Sequence, residues 1–185
     1  MVLLGCKPEG RNTEQHDIFF GVAGELKELL PQLYEFWPEG RQKLHIDAWR
    51  EVRKVGRYTV DVIARESLDE INTATGAKLF FINLGGYKPG EFEEFHYKLL
   101  VAAPDKGSAI LQAKQSAFYK HTGFEGAGSH VDDKYGVDVD DAYEITDILP
   151  SATKAKYAIR LAVSDANDGE RDDRITLGYI RPEKL

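Results

Sequence analysis

The feature that most constrains this chain is an internal repeat. When the sequence is shifted by 80 residues, positions 4–23 align without a gap on positions 84–103. Six of the twenty aligned positions are identical, where ordinary residue frequencies would give about one match. The identical pairs are Leu4/Leu84, Gly5/Gly85, Gly10/Gly90, Glu14/Glu94, His16/His96 and Ala23/Ala103. A repeat of this length predicts a duplicated structural unit rather than a solenoid.

A second block of matches follows in the same order, at an offset of 85 residues. Its pairs are His45/His130, Asp47/Asp132, Val52/Val137, Tyr58/Tyr143 and Ile63/Ile148. The change of offset from 80 to 85 implies an insertion of five residues between the two blocks of the second half. The two blocks together predict that the chain consists of two related halves.

Each half begins with two predicted strands. Short apolar segments at residues 1–6 and 78–84 each end in a turn that contains glycine and proline, and second strands are predicted at 16–22 and 96–102. After the second strand, apolar residues recur about every 3.6 residues instead of every two, which indicates a helix. The residues at helical spacing are Leu26, Leu29, Leu30, Leu33 and Trp37 in the first half, and Ile110, Ala113 and Ala117 in the second.

Two residues refine the predicted helices. Asp105 is the expected N-cap of the second helix, because aspartate accepts hydrogen bonds from free backbone N–H groups there. Pro31 is expected either to kink the first helix or to begin a new turn of it, because proline lacks the interior N–H donor.

Two further strands are predicted after each helix, at 44–52 with 58–64 and at 130–139 with 143–149. The predicted unit is therefore ββαββ. The boundaries are residues 1–66 for the first unit, 67–77 for a polar linker, 78–150 for the second unit and 151–185 for a C-terminal extension.

The extension is expected to be a β-hairpin that covers an open edge or surface. Its strands are predicted at 157–163 and 175–180, with turn residues at Asn167, Asp168 and Gly169. The complete prediction is an α+β fold of two ββαββ units with pseudo-two-fold symmetry and mainly antiparallel sheets, plus this hairpin.

Composition excludes several classes of function. The 24 basic and 31 acidic residues give a formal charge of −7, which argues against nucleic acid as the main partner. The single cysteine, Cys6, excludes an internal disulfide and a four-cysteine zinc site. No apolar run approaches the roughly 20 residues of a membrane helix, and the first residues lack the features of a signal peptide. We therefore expect a soluble cytoplasmic protein without a membrane partner.

Two segments of the second half resemble a known family. The run LFFINLGGYKPGEFEEFH, which ends at His96, and the run HVDDKYGVDVDD, which begins at His130, are similar to the bacterial family called domain of unknown function 1543. In the first half, EQHD at 14–17 and HIDAW at 45–49 also match. The resemblance covers residues 1 to about 148 and implies two tandem copies, of which the second follows the family pattern more closely. It implies no activity.

The repeated histidines and carboxylates are the candidate functional residues. They form the patterns Glu14-x-His16, Glu94-x-His96, His45-x-Asp47 and His130-x-Asp132. Residues i and i+2 of a strand point to the same face, so two imidazoles and two carboxylates converge in each unit if its second and third strands lie close together. Trp49 is expected to share this face in the first unit, which makes that site better suited to an organic ligand.

Three interpretations of these residues stay open. They bind a divalent metal ion, or they form proton-transfer pairs, or they only hydrogen-bond the backbone. The favoured function is a non-catalytic module that binds a small molecule or a protein, without a cofactor. The alternative is a small metal-assisted hydrolase that uses His16, His45 and Asp47, or His96, His130 and Asp132.

Overall fold

A computed structural model of the protein describes residues 1–40, 43–70, 75–87, 90–115, 138–164 and 173–185. Within these ranges, the strands are β1 (Val2–Cys6), β2 (Gln15–Phe19), β3 (His45–Trp49), β4 (Lys54–Val55), β5 (Tyr58–Ala64), β6 (Lys78–Tyr87), β7 (Glu94–Ala103), β8 (Asp138–Glu144), β9 (Tyr157–Val163) and β10 (Thr176–Ile180).

The helices in the described part of the chain are short. The α-helices are α1 (Leu30–Phe36), α2 (Lys106–Lys114), α3 (Ile145–Ile148) and α4 (Ser151–Lys156). Short 3₁₀ helices occur at Leu26–Leu29, Pro38–Gly40, Arg65–Glu70 and Pro182–Lys184. Among the described residues, no helix has both the length and the apolar character needed to cross a membrane.

The described strands form three sheets, and each pair of neighbouring strands in them is antiparallel. The first sheet has the order β10-β3-β1-β2, the second has the order β7-β6-β8, and the third has the order β4-β5-β9. The coarse prediction of a mixed fold with antiparallel sheets and few helices is therefore confirmed.

Three apolar clusters connect these sheets and helices. On the first sheet, Val2, Leu4 and Ile46 pack with Leu33 of α1. On the second sheet, Ile82 and Leu84 belong to a cluster that includes Ala109 and Ala113 of α2. The third cluster contains residues of all three sheets, including Ile18, Phe81 and Leu161. Helices α1 and α2 thus each cover one face of a sheet, and the opposite faces of these two sheets contribute to the shared core.

The first helix begins in two steps. A 3₁₀ turn at Leu26–Leu29 leads directly into α1, with Pro31 in the first turn of α1. Proline is tolerated there because the first N–H groups of a helix have no partner inside the helix. Of the two expectations for Pro31, the start of a new turn is the correct one.

The strand predicted at 143–149 is wrong over most of its length. β8 ends at Glu144, and Ile145–Ile148 forms the short helix α3. Ile145 and Leu149 are four residues apart and both are buried in the shared core, which is the spacing of one helix face. Of the strand predicted at 130–139, residues 130–137 lie outside the described residues.

The predicted C-terminal hairpin is also wrong, although both of its strands exist. β9 pairs with β5 along its whole length, whereas β10 pairs with β3. Leu161 of β9 enters the shared core, while Ile180 of β10 packs against the core under α1. Each strand therefore covers an edge of a different sheet.

Candidate functional site

Four of the predicted side chains meet on the first sheet. Glu14 directly precedes β2, His16 lies on β2, and His45 and Asp47 lie on β3; we call these four residues the first cluster. Strand β1 separates β2 from β3, and its Gly5 pairs with His16 on one side and with His45 on the other. A Cβ atom at Gly5 would overlap His45 Nε2 and Asp47 Oδ2, so the cluster requires glycine at this position.

A β-bulge brings Asp47 into the cluster. Leu3 of β1 pairs with Ala48 and the next residue, Leu4, pairs with Ile46, so that Asp47 is the extra residue of β3. A bulge bends its strand and redirects a side chain, and bulges are common beside functional sites. Here Asp47 contacts a histidine on its own strand and another that is two strands away.

The same bulge explains why the prediction for Trp49 is wrong. Regular alternation would place residues 45, 47 and 49 on one face, but the extra residue reverses the alternation after Asp47. Trp49 consequently pairs with Val2 and packs against the apolar cluster that contains Ile46 and Leu33. The indole therefore contributes to the core under α1 and does not line the first cluster.

The side chains of the first cluster lie close together. His45 Nε2 is 2.9 Å from Glu14 Oε1 and 3.3 Å from Asp47 Oδ1. His16 Nε2 is 3.4 Å from Asp47 Oδ2 and 3.8 Å from Glu14 Oε2. Each carboxylate thus contacts both imidazoles.

The orientation of His45 fixes which of its nitrogens faces the cluster. Its Nδ1 lies 3.1 Å from the carbonyl oxygen of Lys43. Because a carbonyl only accepts, Nδ1 carries the proton, and in a neutral imidazole Nε2 then presents a lone pair. Only 3% of the His45 side chain is exposed, and neither His45 Nε2 nor Asp47 Oδ2 has a hydrogen-bond partner among the described residues.

This arrangement is repulsive unless something lies between the groups. A buried lone pair and two nearby carboxylates all present negative charge density to one another, and unpaired buried polar groups cost free energy. A proton on Nε2 or a bound cation would remove the repulsion. The first cluster is therefore built to hold positive charge.

An aromatic side chain from the C-terminal strand contacts the first cluster. The ring of Tyr179 on β10 stacks on the imidazole of His45, with centroids 4.2 Å apart and planes inclined by 29°. The sequence did not predict this contact, because it depends on β10 pairing with β3 across more than 120 residues of chain.

A similar group of side chains lies on the second sheet. Glu94 and His96 on β7 meet Asp140 on β8, and we call these three residues the second cluster. His96 Nε2 is 3.2 Å from Asp140 Oδ2 and 3.9 Å from Glu94 Oε2. One donor atom from each residue lies within 4.8 Å of the other two. Between 33% and 41% of each side chain is exposed.

The second cluster has the same backbone features as the first. Gly85 on the central strand β6 pairs with His96 on one side and with Asp138 on the other. A Cβ atom at Gly85 would overlap the carboxylate of Asp140. The register of β6 and β8 shifts between Asn83 and Leu84, which leaves Asp140 as the extra residue of a bulge.

These registers give a correspondence between the two sheets that differs from the one the sequence predicted. Asp138 pairs with Gly85 in the second sheet, just as His45 pairs with Gly5 in the first. Asp140 is the bulge residue of the second sheet, and Asp47 is that of the first. The predicted counterparts were His130 and Asp132, which lie outside the described residues. The pattern Asp-Val-Asp at 138–140, which resembles His-Ile-Asp at 45–47, was the sequence signal for Asp140.

A tyrosine supports the second cluster. The hydroxyl group of Tyr87 hydrogen-bonds Glu94, and this bond, together with the charges of Glu94 and Asp140, raises the pKa of Tyr87. The phenol therefore stays protonated and donates to the carboxylate, which holds Glu94 beside His96.

Comparisons with known proteins agree with the fold and with part of the family resemblance. Residues 11–62 match the family model of the Domain of Unknown Function DUF1543. This segment contains the entire first cluster. The match comprises one copy, in the half that the sequence predicted to be the more divergent, and two tandem copies are not shown. No curated protein matches the chain.

A solved structure shares the fold. The chain is similar to the crystal structure of the protein Il1583 from Idiomarina loihiensis, with a TM-score of 0.60 and 21% sequence identity. The similarity covers 97% of this chain and 93% of that one. The arrangement of sheets and helices therefore occurs in a protein of similar extent.

Proposed function

We propose that the protein is a binding module whose first cluster holds a divalent transition-metal ion. The observation that carries this proposal is the buried Nε2 atom of His45, which faces the carboxylates of Glu14 and Asp47 without a hydrogen bond. Hydrogen bonds to the backbone alone do not account for it, because Nδ1 already serves that purpose.

The distances in the first cluster support a metal ion. Ligand atoms bound to one ion at about 2.1 Å lie roughly 3–3.5 Å from one another. Two of the four contacts between imidazole and carboxylate atoms, at 3.3 and 3.4 Å, lie in this range, and the other two, at 2.9 and 3.8 Å, lie just outside it. Two imidazoles with two carboxylates suit Zn²⁺, Fe²⁺ or Mn²⁺ better than Ca²⁺, which prefers an all-oxygen site.

The surroundings of His45 are also those of a metal ligand. A histidine that binds a metal usually donates its other N–H group to a carbonyl or carboxylate, which fixes the ring. In this protein, Lys43 supplies the carbonyl oxygen and Tyr179 covers one face of the ring. The imidazole is therefore held in one orientation before any ion binds, which reduces the entropy lost on binding.

We also infer that the two halves arose by duplication. The supporting features are the shared strand orders β3-β1-β2 and β8-β6-β7, and the central glycine and bulged aspartate that each sheet contains. Each unit would then consist of five elements: β1, β2, α1, β3 and β5 in the first, and β6, β7, α2, β8 and β9 in the second. A cytoplasmic location in a bacterium fits the single buried thiol of Cys6 and the family resemblance.

Metal-assisted hydrolysis is the second candidate. Glu14 and His16 are 43% and 44% exposed, so the first cluster opens to solvent on their side. A metal ion with an open position activates a bound water molecule. In this candidate, Glu14 is the exposed carboxylate that accepts a proton from that water, while His45 and Asp47 only hold the ion.

Calorimetric titration of the metal-free, untagged protein with Zn²⁺ tests the proposal. Replacement of His45 by Asn keeps a donor for the Lys43 carbonyl but removes Nε2, so we expect the affinity of the first cluster to fall at least 100-fold. Trp49→Phe is the control, because Trp49 lies on the opposite face, and its affinity should stay within about twofold of wild type. Circular dichroism verifies that both variants fold.

If wild type and His45→Asn bind Zn²⁺ equally, the proposal is wrong. A proton, rather than an ion, then neutralises the first cluster. The hydrolase candidate needs one further result, which is that the Zn²⁺-loaded wild-type protein hydrolyses an activated ester or phosphate ester and that Glu14→Gln abolishes this activity without loss of Zn²⁺.

A further inference from the structure

We infer that the second cluster is a second and separate cation site, weaker than the first and selective for a harder ion such as Mn²⁺. Glu94, His96 and Asp140 bring three donor atoms within 4.8 Å of one another. Two carboxylates at this separation repel each other, and a cation between them relieves the repulsion. None of these residues belongs to the first cluster.

The backbone at the second cluster has the same features as the backbone at the first. Glycine inside a strand lowers stability by roughly 0.5–1 kcal/mol relative to alanine, and a bulge interrupts the hydrogen-bonded ladder. Gly85 and the bulge at Asp140 occur together, opposite the histidine of the neighbouring strand. Gly5 and Asp47 have the same arrangement around His45, whose buried Nε2 atom needs positive charge. Both of these costs occur in each of the two sheets, beside side chains that can bind a cation.

The ligand set of the second cluster indicates the type of ion. It contains one imidazole and two carboxylates, whereas the first cluster contains two of each. A larger share of carboxylate oxygen favours harder ions such as Mn²⁺ or Mg²⁺ over Zn²⁺. Tyr87 supplies the supporting hydrogen bond to Glu94, as Lys43 does for His45 in the first cluster.

Exposure determines the difference in affinity between the two sites. In the first sheet, β10 pairs with β3 and Tyr179 covers His45. Among the described strands, none pairs with the outer edge of β8. His96 and Asp140 remain about one third exposed, so an ion at this site keeps bound water and exchanges readily.

The test counts Mn²⁺ ions on the untagged full-length protein. Electron paramagnetic resonance detects free Mn²⁺, so a titration gives the number of ions bound and their affinities. We expect two ions on wild type. Asp140→Asn should lose the weaker ion and keep the tighter one, whereas His45→Asn should lose the tighter ion and keep the weaker one.

Glu94→Gln provides a second variant in case Asp140→Asn does not fold. Its amide oxygen still accepts the hydrogen bond from Tyr87, but its charge is lost, and we expect the affinity for the weaker ion to fall at least tenfold. The inference is wrong if Asp140→Asn or Glu94→Gln binds as many ions as wild type with the same affinities. One ion per chain that disappears in His45→Asn also contradicts the second site, while it supports the first.

Discussion

At the scale of single residues, Gly5 and Gly85 determine whether the side chains of the flanking strands can meet. Each glycine lies on a central strand between a histidine strand and an aspartate strand. A side chain at either position would fill the space that the carboxylate of Asp47 or Asp140 now occupies. The two clusters therefore depend on a residue type that contributes no ligand atom.

The first prediction concerns these glycines. Gly5→Ala should weaken Zn²⁺ binding at the first cluster at least tenfold and leave the second cluster unchanged, and Gly85→Ala should do the reverse. Gly5→Ala should also lower the free energy of unfolding by about 1–3 kcal/mol, because the new methyl group meets the buried His45 and overpacks the site. Metal titration and urea unfolding of both variants measure these effects. Equal losses at both clusters from either variant would contradict the prediction.

Sequence reasoning predicted all four residues of the first cluster, because their spacing along the strands follows local rules. Glu14 and His16, and likewise His45 and Asp47, are two residues apart on or beside strands, and the structure brings all four together. Tyr179 was not predictable, because its contact with His45 depends on pairing between strands that are distant in the chain.

At the scale of elements, the bulges explain most of the errors near the sites. An alternating pattern predicts faces only while the ladder is regular. The extra residue at Asp47 moves Trp49 into the core under α1. The extra residue at Asp140 makes Asp138 and Asp140 of β8 correspond to His45 and Asp47 of β3, an alignment of the two halves that the identical residues did not show. The sequence comparison aligned identical residue types that lie 85 positions apart in the chain. The strand registers instead depend on the hydrogen bonds that each outer strand makes to the central strand.

The N-cap of α2 was predictable because it depends on a few neighbouring residues. Asp105 Oδ1 accepts a hydrogen bond of 2.8 Å from the Ser108 N–H group, and Asp105 Oδ2 accepts one of 2.9 Å from the Ser108 hydroxyl. These bonds satisfy a free donor in the first turn. They orient a helix whose Ala109 and Ala113 pack on the second sheet.

The second prediction concerns this cap. Asp105→Ala should lower the melting temperature at pH 7 by roughly 2–4 °C, and Asp105→Asn should lower it less, because asparagine also caps helices. The hydrogen bonds from Ser108 lower the pKa of Asp105 below its ordinary value of 3.8. A carboxyl group whose pKa is lower in the folded state than in the unfolded state stabilises the fold at any pH above its unfolded-state pKa. This contribution disappears as the pH falls through its folded-state pKa.

The difference in melting temperature between wild type and Asp105→Ala should therefore shrink as the pH falls below about 4. Thermal unfolding of both proteins across this range measures the effect. A difference that is independent of pH would show that the carboxylate form does not stabilise the helix.

At the scale of the whole molecule, the first two sheets share one backbone arrangement but differ in one residue type opposite the central glycine. On one side of the central glycine, β2 and β7 each place a histidine in the paired position. On the other side, the paired residue is His45 of β3 in the first sheet and Asp138 of β8 in the second. The formal charge of −7 gives the chain as a whole a net attraction for cations. The coarse fold was predictable from periodicity, whereas this difference between the sheets required the observed registers.

The third prediction converts the second cluster into a copy of the first. Asp138→His places an imidazole at the position opposite Gly85 that His45 occupies opposite Gly5. If the shared backbone arrangement determines the site, the altered cluster gains a second nitrogen ligand and becomes softer. We expect its affinity for Zn²⁺ to rise at least tenfold relative to Mn²⁺, measured in the background of His45→Asn, which removes the first site.

Asp141→His is the matched control for this conversion. Asp141 pairs with Asn83, one position before the register shift, and its carboxylate accepts a hydrogen bond from the Asn83 side chain. The control adds the same imidazole and removes the same charge on the same strand, but it does not occupy the position opposite Gly85. If both variants gain Zn²⁺ affinity equally, the gain comes from composition rather than from geometry, and the correspondence between His45 and Asp138 is not the basis of the two sites. A gain in Asp138→His alone would show that one residue opposite the central glycine sets the metal preference of each sheet.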